Sequence, residues 1–294
     1  MKNNLTHVVL PLVCFVFLAA ACSKPKSAEN LIPVNNTSSP ATVNTNPSPY
    51  DVLNLGSIWK LSVPVDANGG NTGAATTISN TKLKNGYTSE YFYTIDSPYN
   101  NVVRLWCPVN GATTSPGSGS DHPRTELIEY PLLWYTQDQS GISGETIGGR
   151  LDAQVAVKQF SSTGDIIIGQ IHGGGTIASS YPFVMLHARH DTVIVYVKGD
   201  TVGNAGTVKN VLLKNVALGA KITFSITDST NNKLYFKASA PGATGTGQWN
   251  TDVPANWRHV QVRFSAGNYL QDHDPNAPDS QGSKVNVYSL KITH

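Results

Sequence analysis

The feature that most constrains this chain is an alternation of apolar and polar side chains with a period of two. Ala153, Val155 and Val157 alternate with Asp152, Gln154 and Lys158, and Val193, Val195 and Val197 with Thr192, Tyr196 and Lys198. Ile222, Phe224 and Ile226 alternate with Lys221, Thr223 and Ser225, and Val285 and Val287 with Asn286 and Tyr288. Successive side chains of a strand point to opposite faces, so each segment reads as a strand with at least one buried face. No long stretch shows the period of an amphipathic helix. The 26 glycines and 17 prolines supply turns between short strands. Roughly a dozen strands without helices predict an all-β sandwich of two antiparallel sheets, a β-jelly roll with a concave groove.

The alternation does not reach the beginning of the chain. Lys2 precedes an apolar run from Val8 to Ala21 that is too short to span a bilayer and ends in small residues, so residues 1–21 read as a signal peptide. Leu18-Ala19-Ala20-Ala21-Cys22 is similar to a lipoprotein signal in which Cys22 is acylated; plain secretion after cleavage at Ala21 is the alternative. Residues 22–49, rich in Ser, Asn, Thr and Pro, read as a flexible tether, and the folded domain is expected over 50–294. These features place the domain outside the cytoplasm of a bacterium, lipid-anchored to the cell envelope (the outer membrane) or secreted. Of three cysteines, Cys107 is left without an intramolecular partner and reads as a small buried hydrophobe. A net charge of +2 makes no case for nucleic acid, whereas a local basic groove suffices for an acidic polymer.

Three segments carry polar side chains where a sheet strand is expected to be apolar. In Pro123-Arg124-Thr125-Glu126-Leu127, Arg124 and Glu126 share a face. The planar guanidinium fork suits a carboxylate and Glu126 can hold it in place; a structural pair on a solvated face is the alternative. In the strand from Ile166 to His172, Gln170 and His172 share a face opposite Ile171. An amide can donate to a carboxylate while an imidazole removes a nearby proton; two exposed residues before Gly173-Gly174-Gly175 is the plainer reading. Between Arg263 and Gln271, Arg263, Gly267, Tyr269 and Gln271 share a face. The tyrosine can relay a proton and the glycine admits a ring close to the sheet, although surface aromatics are common on sheets.

Taken together and in this order, the three segments resemble the alginate lyase family of jelly-roll polysaccharide lyases. The family's marks are an Arg-Ser/Thr-Glu-Leu-Arg strand, a Gln-Ile/Val-His strand and a Tyr-Phe-Lys-Ala-Gly-x-Tyr-x-Gln strand. They stand here as Arg124-Thr125-Glu126-Leu127, Gln170-Ile171-His172 and Phe264-Ser265-Ala266-Gly267-Asn268-Tyr269-Leu270-Gln271, and the likeness extends through Trp59-Lys60-Leu61 and Pro108 to Thr114. Ile128 replaces the second arginine of the first strand, and Ser265 replaces the lysine of the third, with Arg263 close by. Tyr235-Phe236-Lys237-Ala238 copies the start of the third motif but lacks its Gly-x-Tyr-x-Gln, and is expected to be an ordinary strand.

The resemblance implies cleavage of alginate, a polyuronate, by β-elimination: the C5 proton is removed and the bond at C4 breaks. Arg124 and Gln170 would offset the substrate carboxylate, so that charge developing on it is stabilised. His172 would be the base for guluronate and Tyr269 the acid, with Tyr269 serving both roles for mannuronate. Glu126, Arg263, Gln271 and Lys60 would contact substrate. The isoleucine of Gln170-Ile171-His172 accompanies guluronate-containing substrates in family members. No metal and no cofactor are implied; Asp272, His273, Asp274 and Asp279 read as a polar loop, with calcium there as the alternative. The partner is an anionic polysaccharide, and a monomer is expected. A lyase for another polyuronate such as glucuronan fits the same residues. A glycoside hydrolase needs two carboxylates about the scissile bond, and Glu126 has no evident carboxylate partner. A glycan-binding module would tolerate loss of His172 and Tyr269.

Overall fold

A computed structural model describes residues 47–96, 101–117, 120–136, 144–176, 178, 181–203 and 206–294. The expected signal peptide, Cys22 and most of the tether lie outside the described residues. The chain enters the domain through α1 (Pro49–Leu53), continues through β1 (Trp59–Val63), β2 (Thr76–Ile78) and α2 (Asn80–Lys84), and is otherwise almost entirely strand. The next strands are β3 (Phe92–Ile95), β4 (Val102–Pro108), β5 (Thr113–Ser115), β6 (Ser120–Glu129), β7 (Trp134–Tyr135) and β8 (Gly149–Gln159). After these come β9 (Asp165–Gly173), β10 (Pro182–Arg189), β11 (Thr192–Val197), β12 (Val208–Leu213) and β13 (Ile222–Ser229). The chain closes with β14 (Lys233–Ser239), β15 (Gln248–Asp252), β16 (Gln261–Leu270) and β17 (Gly282–Thr293).

Two antiparallel sheets result, a jelly-roll sandwich. The larger runs β12-β11-β10-β9-β16-β6-β1-β2, with β5 and β7 attached, and the smaller runs β15-β14-β13-β8-β17-β4-β3. The strands outnumber the dozen expected because pieces such as β2, β5 and β7, two or three residues long, cannot display an alternation. The two helices escape periodicity for the same reason, at five residues each. Leu61, Leu127, Ile171 and Phe264 of the larger sheet share one buried cluster with Leu105, Val155, Phe224 and Val285 of the smaller. Fully burying each such side chain contributes about 1.5–3 kcal/mol. Cys107 belongs to this cluster, and burial pushes its thiol well above the ordinary range. Tyr235 to Ala238, the copy of the third motif, lies in β14 of the smaller sheet, paired with β13.

Two irregularities shape the larger sheet. β9 shifts register against both neighbours: Ala266 pairs with Gly169 but Tyr269 with Ile167, and Leu186 pairs with Gly169 but His187 with Ile167. Against β10 the extra residue is Ile168, whereas against β16 it lies on β16, where Gly267 and Asn268 stand opposite Ile168 alone. Ile168 turns inward to the core cluster, and Ile167 lies on the outer face. Further along, β16 exchanges neighbours, pairing with β6 from Ser265 to Tyr269 and with β7 at Gln261 and Val262. The Glu129 side chain fills the gap. Its Oε2 accepts from the Phe264 backbone N–H at 2.9 Å and from Trp134 Nε1 at 3.1 Å, while Oε1 lies 2.6 Å from His294 Nε2. A side chain thus supplies the acceptor where the ladder breaks.

Candidate active site

Directly paired residues in neighbouring strands share a face, so strand register alone assembles the site. β16 is its middle strand. Against β6, Tyr269 pairs with Arg124, Gly267 with Glu126 and Ser265 with Ile128. Against β9, Arg263 pairs with His172 and Ser265 with Gln170. One strand beyond β6, Lys60 pairs with Ile128 and Ser62 with Glu126. Arg124, Glu126, Gln170, His172, Arg263, Tyr269 and Lys60 therefore all lie on the outer face of the larger sheet, away from the core.

Glu126 is the hub. It is 1% exposed and accepts from Arg124 Nη1 at 3.2 Å and from Gln170 Nε2 at 2.5 Å. Burial raises its carboxyl pKa, opposed by the Arg124 charge and the hydrogen bonds from Gln170 and Arg124. Gly267, opposite this carboxylate, has φ 151°, and a Cβ there would lie 2.8 Å from Thr125 O and 3.0 Å from Glu126 Cα, so only glycine fits. The Arg124 guanidinium lies over the Tyr269 ring, 3.6 Å from its centroid.

His172 donates from Nδ1 to the Gly173 carbonyl at 2.9 Å. A carbonyl only accepts, so the proton sits on Nδ1 and Nε2 keeps its lone pair. Burial, reinforced by the charges of Arg263 and Arg124 and opposed by the Gly173 carbonyl, pushes the imidazole down to about 4. Burial also lowers Arg263, and burial together with the Arg263 charge lowers Lys60. These cations repel one another across a recessed surface. Three of them, Lys60, Arg124 and Arg263, share it with the Glu126 carboxylate, a field that suits an anionic ligand.

Gln271 stands apart. It comes directly after β16, and its Nε2 donates to the Leu270 carbonyl at 3.1 Å. The acidic loop closes on itself and its neighbours. Asp272 accepts from Ser162 Oγ at 2.6 Å, Asp279 from Asn110 Nδ2 at 2.7 Å and Asp274 from the Asn276 backbone N–H at 2.9 Å. Among the described residues, no three His, Cys, Asp or Glu side chains are grouped to hold a metal ion.

Residues 53–294 match the family described as alginate lyase (Alginate_lyase2). The chain belongs to the alginate lyase family. This makes it a polysaccharide lyase. It is 27% identical to alginate lyase A1-II′, a member of polysaccharide lyase family-7, over 84% of this chain and 98% of that one, with a TM-score of 0.66. Other structures of A1-II′ hold a product (GGG) and a substrate (GGMG). Alginate lyase PA1167 from Pseudomonas aeruginosa is 28% identical over 81% of this chain and 98% of that one, with a TM-score of 0.64. The fold is shared with the alginate lyase from Klebsiella pneumoniae, 23% identical over 84% of this chain and 99% of that one, at a TM-score of 0.68. No curated protein sequence matches.

On the same face this alginate lyase family member carries polar residues that no motif singled out. His122, two residues before Arg124, meets the Tyr269 ring edge-on at 6.4 Å. His187 on β10 pairs with Asp165 at 2.7 Å. Alternation from Arg124 back to His122, and along Met185 to His187, was the signal available for each.

Proposed function

We propose that this polysaccharide lyase cleaves alginate by β-elimination, with guluronate-containing stretches preferred. The observation that carries the reading is the convergence of Arg124, Gln170, His172 and Tyr269 on one face around the buried Glu126. A uronate C5 proton is only feebly acidic beside a charged carboxylate. Glu126 holds Arg124 and Gln170 toward one place, and the Gln170 amide has a second N–H besides the one given to Glu126, so both can donate to that carboxylate. The Nε2 lone pair of the neutral His172 takes the C5 proton. The Tyr269 hydroxyl gives its proton to the departing O4, and the electron pair left at C5 forms the C4–C5 double bond as the C4–O bond breaks. Lys60 and Arg263 hold neighbouring carboxylates.

The test is ultraviolet absorbance with guluronate-rich and mannuronate-rich alginate supplied separately, because elimination creates a double bond conjugated to the carboxylate. A rise that is faster on guluronate and abolished in Tyr269→Phe and His172→Ala supports the reading. No rise on either polymer sinks it. We further propose that Cys22 is lipidated and anchors the enzyme to the bacterial envelope. Radiolabelled palmitate should enter the wild type and not Cys22→Ser; label in neither form defeats the anchor.

A further inference from the structure

Burying a polar atom without a partner is costly, and each instance in a folded protein calls for an explanation. Among the described residues, four such atoms sit on the outer face of the larger sheet: Ser62 Oγ, Gln170 Oε1, Arg263 Nε and His187 Nε2. The first three border the proposed catalytic centre. The fourth does not.

His187 stands on β10. Its partner Ile167 pairs on its other side with Tyr269, and the preceding outer residue Met185 pairs with Gln170. Two strand spacings separate it from Tyr269, about 10 Å. Its side chain is 9% exposed, and Nδ1 lies 2.7 Å from Asp165 Oδ1. Asp165 also lies 3.7 Å from Arg189 Nε. With Nδ1 directed at the carboxylate, Nε2 is the ring nitrogen left to bond a ligand. Beside it is the half-buried Tyr196 ring, 4.7 Å away between centroids and tilted by 59°, on the strand next to β10 and paired with Met185. A rigidly held polar atom beside an aromatic surface is the combination that orients a ligand in a binding cleft.

We propose that Asp165, His187 and Tyr196 form a saccharide subsite over β10 and β11, in which His187 Nε2 shares a hydrogen bond with a hydroxyl of a uronate unit beyond the one being cleaved. The chain would lie across the strands, from Lys60 past Gln170 to His187. The inference rests on the proposed lyase activity and extends its footprint by two strands.

The experiment is a series of oligouronates of increasing length, with kcat and KM measured for wild type, His187→Ala and His187→Gln. In the wild type kcat/KM rises as chains grow long enough to reach β10. In His187→Ala that step is lost, about tenfold through KM, while kcat and the values for shorter chains stay unchanged. His187→Gln, whose amide can still bond a hydroxyl, recovers most of the step. An equal loss at every length, or a loss in kcat, would assign His187 to the fold or the chemistry and overturn the proposal; so would an unchanged profile. If the wild type forms no unsaturated product from any polyuronate, the lyase reading fails separately. Calorimetric binding of intact chains then decides the subsite, which requires weaker binding by His187→Ala.

Discussion

The Arg124 guanidinium lies 3.6 Å from the ring centroid of Tyr269, its directly paired neighbour across β6 and β16. The same arginine bonds Glu126. One side chain thereby links the group proposed to neutralise substrate to the group proposed to protonate the leaving oxygen. Phenylalanine keeps the ring beneath the cation and removes only the hydroxyl. Tyr269→Phe should lower kcat by about 10²–10⁴, with a thermal midpoint within a few degrees of wild type by calorimetry. A large fall in that midpoint would make Tyr269 structural.

His172 should set the acid limb of activity. The proposed base works neutral, and the imidazole is held down to about 4. Activity through this group is lost only as pH falls through that value, not near the 6.5 of a free histidine. The pH profile of kcat/KM, which reports the free enzyme, should be flat from neutrality to about pH 5 and fall below. An acid limb centred near the free-histidine value would show that His172 is not the base.

Glu129 and His294 should make stability pH-dependent. Both imidazole nitrogens face acceptors, Gly148 O at 3.0 Å and Glu129 Oε1 at 2.6 Å, so the ring carries both protons. Burial opposes that charge, but the hydrogen bonds to Glu129 and Gly148 and the Glu129 charge outweigh it and raise the pKa. The contribution is fully present below the unfolded value of about 6.5 and is lost as pH rises through the folded one. His294→Ala should destabilise by about 2 kcal/mol at about pH 6, and the gap in denaturant midpoints should narrow in alkali. A gap that is the same at both ends would contradict the charged pair.

Asp228 has the opposite character, a buried acid that stays neutral. It is 2% exposed, neither carboxyl oxygen has a partner among the described residues, and burial pushes its pKa up to about 8. Between about pH 4 and 8 the folded state keeps a proton that the unfolded chain releases. Stability then falls by about 1.4 kcal/mol per pH unit as pH rises. Asp228→Asn should flatten that slope in urea titrations between about pH 4 and 6, where His294 is charged whether folded or not. An unchanged slope would mean that Asp228 ionises in the folded protein.

Much of this molecule is legible in its sequence because strand geometry is local. A period of two determines which side chains share a face, so the placing of Arg124 with Glu126 and of Gln170 with His172 on common faces came from spacing alone. The all-β sandwich came the same way, since alternating strands must bury one face against another layer. The tertiary structure decided which strands are neighbours and in what register. The hydrogen bond from Gln170 to Glu126 joins positions 44 apart, and the cross-strand contact of Arg124 with Tyr269 exists only because β16 lies between β9 and β6. Ile168, turned inward where alternation from Gln170 predicts outward, breaks the period of two along β9 without any local signature. Glu129 reads as one more acid until the change of neighbours along β16 leaves an N–H for it to satisfy. Periodicity belongs to the chain and is written in it. Register and burial belong to contacts between distant segments, and these exist only once the two sheets have packed.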